Sequence, residues 1–129
     1  MRELCIDPGK KTGIAIYQNR KLVELDTTDT IGALNYIDNF DIIYIERTRN
    51  KYIVPRINVR DMKSYARIAF DCGSVYALAT LLIDYAKRKG KTVVVKHPSK
   101  TKDKAYFLKK TGWTKASNEH NRDAAVLIF

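Results

Sequence analysis

The chain predicts an α/β domain built on a mixed five-stranded sheet, with strands one to three antiparallel, strands four and five parallel, and helices on the flanks. Two observations carry that expectation. Three short apolar runs lie close together near the start, separated only by turn residues, as in a meander of hairpins. Two later runs, 41–46 and 91–96, are apolar without polar interruption and alternate with helix-like stretches, the pattern of strands covered on both faces and joined by crossovers. A third observation bears on chemistry: separate elements end or begin in acids or a histidine of metal-ligand type.

Leu4 to Ile6 is apolar and ends in Asp7, and Pro8-Gly9 turns the chain into the run Gly13 to Tyr17, so 2–7 and 12–17 read as an antiparallel pair. Gln18-Asn19-Arg20 joins the second strand to a third at 21–25. A helix follows at 30–39, with Ile31, Leu34, Tyr36 and Ile37 near helical spacing and threonines and an aspartate ahead of them able to cap it. It delivers strand four, 41–46, whose unbroken Ile42 to Ile45 places it in the middle of the sheet and which exits in Glu46. Residues 47–60 lack periodicity and carry five basic residues, as an exposed arm would. Asp61 can cap a long helix that runs to about Lys89 and ends at Gly90. Strand five, 91–96, is also expected to be internal, and His97-Pro98 stops it. A short helix near 102–110, a loop at 111–114 and a last helix capped by Ser117 or Asn118 complete the order, with Glu119 favourably charged in the final helix's first turn.

At 129 residues and 45% apolar composition, 1–129 is one domain, large enough for a real core. Lys and Arg number 24 against 14 Asp and Glu, a formal charge of +10 that points to a polyanionic partner, nucleic acid first. Anionic membrane is the rival, but no apolar run approaches the ~20 residues needed to span a bilayer. The first residues enter a strand directly, with no signal or transit peptide. Cys5 in a strand and Cys72 on a helix give neither a disulfide framework nor a zinc spacing, and both read as core thiols of a reducing, intracellular protein.

Around the long helix, Lys63, Arg67 and Asp71 cluster on one narrow side, while apolar and small residues cover more than half the circumference. Such a helix has two surfaces to bury. Ala66, Ala69, Gly73 and Ala77 form a small-residue stripe suited to close approach, so a homodimer is expected to cover it. The plainer alternative is that the C-terminal helix covers both surfaces.

If strand one is central, with strands two and four beside it, Asp7 and Glu46 leave neighbouring parallel strands at one edge, within reach of one cation. His120 and Asp123, three apart on a helix, share a face and can be aimed at the same point. Oxygen ligands with one imidazole suit Mg²⁺ or Mn²⁺ better than structural zinc.

The segments I-D-P-G-K-K-T-G at Ile6 to Gly13, the apolar strand closing on Ile45-Glu46, and H-N-R-D-A-A at His120 to Ala125 together resemble the RuvC-type Holliday junction resolvases of the RNase H-like nuclease superfamily. The likeness follows nearly the whole chain in order. It implies an RNase H-like fold, and a homodimer, formed through the long helix, that grips a four-way DNA junction and nicks two strands symmetrically with divalent metal. Asp7 then matches the first catalytic carboxylate and Glu46 the second, while His120 and Asp123 match a closing pair whose first position is Asp in some members and His in others. The chain is shorter than the bacterial cellular enzymes, and compact phage or viral members look nearer. That implies a cytoplasmic location in a bacterium or a virus-infected host cell, and a role in DNA recombination and repair.

Phosphodiester hydrolysis by two Mg²⁺ ions needs carboxylates that bridge or flank them, and Asp7 is the expected bridging ligand. His120 brings an imidazole, which can bind the second ion or exchange protons near neutral pH. Arg47, Arg49, Lys51 and Arg56 are expected on DNA phosphates, Tyr52 as a wedge against an unstacked base at the branch point, and Lys100, Lys102 and Lys104 on the backbone of another arm. Trp113 reads as a core anchor and His97 as structural. A nuclease acting on RNA–DNA hybrid or on RNA is the close alternative, since the carboxylates would be the same and the loops choose the substrate. A non-catalytic binder of branched DNA comes third, because acids in a phosphate site without metal would repel the ligand.

Overall fold

The computed structural model describes residues 1–48, 62–98 and 103–129, with the backbone alone over 62–72. Strands β1 (Arg2–Asp7), β2 (Thr12–Gln18), β3 (Lys21–Thr28), β4 (Ile42–Glu46) and β5 (Thr92–Lys96) form one sheet in the order β3-β2-β1-β4-β5. The first three are antiparallel neighbours, and β1–β4 and β4–β5 pair in parallel. Helices α1 (Thr30–Asp38) and α2 (Met62–Arg88) make the crossovers, and α3 (Lys104–Thr111), α4 (Glu119–Ala125) and a 3₁₀ turn at Val126–Ile128 close the chain. This is the RNase H-like mixed sheet.

Local chemistry sets the element ends. The β2–β3 turn holds Asn19 and Arg20 at positive φ, 52° and 68°, the handedness a two-residue hairpin needs to follow strand twist. Asp29 caps α1 by accepting from Gly32 N–H at 2.8 Å, and Asp103 caps α3 by accepting from Tyr106 N–H at 2.6 Å. Gly112 ends α3 in the left-handed region at φ 65°, its N–H donating to the Leu108 carbonyl at 2.9 Å.

The sheet separates two cores. Leu4, Ile6, Ile14, Ile16, Ile43 and Ile45 face α1 and α2, packing on Ala33, Ile37, Leu82, Ile83 and Ala86. Cys5, Ala15, Tyr17 and Leu22 face the other way, onto Phe107 of α3, Ala124 and Ala125 of α4, and Val126 and Leu127. Cys5 is a free, buried thiol, and Trp113 is half-buried against this second core, its Nε1–H donating to the Ala116 carbonyl at 3.2 Å. Among the described residues no helix is long and apolar enough to cross a membrane.

Two expectations are corrected. β5 is an edge strand rather than an internal one. Its apolar run reflects coverage of a face, with Val93 and Val95 packed on the first core, and says nothing of whether both edges are paired. β3 continues to Thr28, because the polar Asp26-Thr27-Thr28 lies on an outer strand that burial does not require to be apolar.

Candidate active site

Parallel register brings the two strand-exit acids together. Ile6 of β1 is opposite Ile45 of β4, so Asp7 and Glu46 are the next neighbours at the carboxyl edge of the sheet, on strands about 4.8 Å apart. Side chains alternate between faces, and Asp7 follows Cys5 while Glu46 follows Tyr44, both of the second core. The two acids therefore share the face that carries α4. Glu46 is 6% exposed and Asp7 half-buried. Asp7, Glu46 and Asp123 each have an interaction partner within the fold, as a buried carboxylate requires.

α4 is seated on that edge by a contact only glycine permits. Gly13 is the register partner of Asp7, and a Cβ placed on it would lie 1.9 Å from the carbonyl oxygen of His120. The start of α4 thus rests on β2 directly beside Asp7. Thr12, 1% exposed, donates through Oγ to the Gly9 carbonyl at 3.0 Å and closes the turn between. Asn118 and Asn121 form a reciprocal cap, the Asn118 amide donates to Thr27 Oγ of β3 at 2.9 Å, and the Tyr17 hydroxyl donates to the Ala125 carbonyl at 2.6 Å. Burial holds the Tyr17 phenol far above its usual range, so it stays a donor.

Within this frame Asp123 is half-buried and His120 exposed. His120 lines a cleft of about 620 Å³ with Lys10, Lys11, Thr27, Thr28, Asn118 and Glu119. Gly13, Lys10 and Lys11 were not singled out as parts of this edge from the sequence; the available signal was their place directly behind a strand-exit acid, the lysines on the turn and Gly13 at the start of β2. A larger cavity, about 670 Å³, opens at the other end of the same face between Glu3, Tyr17, Tyr44 and Phe129 and contains none of the candidate acids. The candidate acids lie at the opposite, carboxyl edge.

The chain leaving Glu46 is clamped. Arg47 N–H donates to the Lys96 carbonyl at 2.8 Å, His97 Nδ1 lies 3.0 Å from the Arg47 carbonyl, and the Arg47 guanidinium sits 5.3 Å from the centre of the Tyr76 ring. A carbonyl only accepts, so Nδ1 carries the proton and His97 has a structural partner. Lys104 is exposed in the first turn of α3. Arg49, Lys51, Tyr52, Arg56, Lys100 and Lys102 lie outside the described residues, as do the side chains of Ala66 and Ala69. Gly73 and Ala77 are exposed on α2, and a Cβ on Gly73 would meet nothing within 4 Å.

The donor chemistry suits a hard cation: two carboxylates in register on adjacent strands, and a third acid on the helix docked beside them. Among the described residues, however, no three or more His, Cys, Asp or Glu side chains are grouped so as to hold a metal ion.

No protein-family model matches the sequence, and no curated protein matches it. Solved structures do. That of RuvC from Thermus thermophilus superposes with a TM-score of 0.60 over 98% of this chain and 90% of that one, at 14% identity. The fold is RuvC-like. At such low identity the RuvC likeness rests on shared topology, and the residues of the RuvC-like edge have to be argued from their own chemistry.

Proposed function

We propose that this RuvC-like chain is a metal-dependent endonuclease that resolves four-way or other branched DNA junctions by paired symmetric nicks. The observation that supports this most is the pairing of Asp7 with Glu46 at the carboxyl edge, on the face where Gly13 admits the helix bearing His120 and Asp123. Asp7, Glu46 and Asp123 would hold divalent cations, Mg²⁺ with Mn²⁺ as substitute and two per site, with His120 as a fourth ligand or proton carrier. Such cations supply Lewis acidity, toward both the attacking water and the leaving 3′ oxygen. Asp7, on the central strand and half-buried, would be the carboxylate shared between them. Glu46 is buried and fixed by the strand and by the Arg47 clamp, so it holds its orientation without reorganising when substrate arrives. The exposed His120 stands at the lip, where it can pass a proton to solvent.

Arg47, Arg49, Lys51, Arg56, Lys100, Lys102 and Lys104 neutralise phosphates, Tyr52 wedges the branch point, and a second copy, joined through the small-residue stripe Ala66, Ala69, Gly73 and Ala77, supplies the second nick. The charge of +10 agrees with this. Incubation with a synthetic four-way junction, a linear duplex and an RNA–DNA hybrid, each with and without Mg²⁺, tests the reading: selective cutting of the junction with Mg²⁺ is expected. Preferential cutting of the hybrid would reassign the substrate, and metal-independent binding with no cutting of any of the three would leave a junction-binding protein. Asp7→Asn should abolish cleavage and leave junction binding intact or tighter; equal loss of both would remove Asp7 from the chemistry.

A further inference from the structure

Lys10 and Lys11 are both exposed on the turn between Asp7 and β2, and the Thr12-to-Gly9 hydrogen bond of 3.0 Å closes that turn at its base. They form one wall of the 620 Å³ cleft, opposite Thr27, Thr28, Asn118 and His120. Its walls are fixed to one another, since Asn118 both caps α4 and donates to Thr27 at 2.9 Å, and Gly13 seats α4 on β2. Two acids also line the cleft. Asp29 caps α1 through the Gly32 N–H at 2.8 Å and keeps its charge, so Asp29 and Glu119 together limit attraction for an anion and the two ammonium groups balance them.

Two ammonium groups, two hydroxyls and an amide, around a cleft that shares His120 with the candidate active site, suit a phosphodiester. We infer that Lys10 and Lys11 hold one backbone phosphate of the DNA strand, flanking the phosphate that is cut. This rests on the nuclease reading above and adds to it a subsite on the β3 side of Asp7.

The test uses the Asp7→Asn chain and four-way junctions in which single phosphates near the cut positions are replaced, one at a time, by neutral methylphosphonate. With Lys10 and Lys11 present, one position should weaken binding by roughly three- to tenfold, the scale of two exposed charge contacts. In a Lys10→Ala/Lys11→Ala background the same replacement should have no effect, and the slope of log affinity against log salt should flatten by about 0.9, the value for one phosphate. Glu119→Gln should tighten binding, and Lys21→Ala, at the start of β3 and outside the cleft, should leave the positional pattern unchanged. Losses that simply add at every position overturn the subsite, as does a double variant that binds like the parent. The nuclease reading fails independently: an unaltered chain that cuts no junction, duplex or hybrid with Mg²⁺ while the methylphosphonate pattern persists binds DNA through this subsite without being a nuclease. Absence of any junction binding overturns both.

Discussion

Gly13 and Gly73 are the same residue under opposite conditions. At Gly13 an added methyl group would collide with the backbone of α4 at 1.9 Å, whereas at Gly73 it would enter open space on a long helix. The first glycine is explained by the chain's own packing. The second is not, since glycine inside a helix costs about 1 kcal/mol relative to alanine and no neighbour among the described residues requires it. Gly73 is exposed on the same helix as the exposed Ala77, and a second copy is the occupant that the proposed function calls for there.

The largest expected effect is at the first glycine. Gly13→Ala should destabilise the fold by about 3 kcal/mol through overpacking against a backbone that cannot retreat, and should lower cleavage further by lifting α4 from Asp7. Chemical denaturation measures the first. Cys5 lies beneath α4 with its thiol pushed well above the usual range, mainly by burial and then by Glu3. In a Cys72→Ser background Cys5 should therefore resist alkylation in the parent and react in Gly13→Ala. A Gly13→Ala chain with unchanged stability would show that the close approach is not needed.

A smaller effect is expected at the other end of the same helix. Tyr17→Phe removes the hydroxyl that donates to Ala125 and should cost about 1–2 kcal/mol; a neutral result would mean the Ala125 carbonyl finds another donor. Asn118→Ala, which loses the reciprocal cap and the bond to Thr27, should cost about 1 kcal/mol by thermal or chemical unfolding. The smallest effect is the most discriminating. Gly73→Ala should stabilise a lone chain by roughly 0.5–1 kcal/mol; if two copies meet at this face, the same change should weaken assembly, and Gly73→Glu should give monomers in sedimentation. Stabilisation with no change in mass would leave the Gly73 face without a partner.

Much of this arrangement was legible in the sequence. The apolar runs ending in Asp7 and Glu46 marked two strand exits, and the helix-like stretch between strands three and four required a crossover that made β1 and β4 parallel. Side-chain chemistry narrowed the caps to Ser117 or Asn118 for the last helix and to threonines or an aspartate for the first, and the fold uses Asn118 and Asp29. Other features depend on distances between remote residues. Nothing near Gly13 distinguishes a strand glycine from one that admits a helix more than a hundred residues later, and the i, i+3 spacing of His120 and Asp123 gives a common face without fixing how deeply each sits. His120 proves exposed along the cleft with Lys10 and Lys11, while Asp123 is half-buried. The edge position of β5 was hidden for a similar reason, since an apolar strand covered by a helix reads alike whether or not its second edge is paired.

The clamp behind Glu46 has a consequence for how such a protein diverges. Arg47 is joined to Lys96 by a main-chain hydrogen bond and to His97, fifty residues on, by a ring hydrogen bond, so β4 and β5 are tied together ahead of the stretches that begin at 49 and at 99. Insertions, deletions or changes of composition in either stretch need not reach the sheet, because the strands are already tied off before those stretches begin. Changes in either stretch can therefore leave the register that sets Asp7 beside Glu46 untouched.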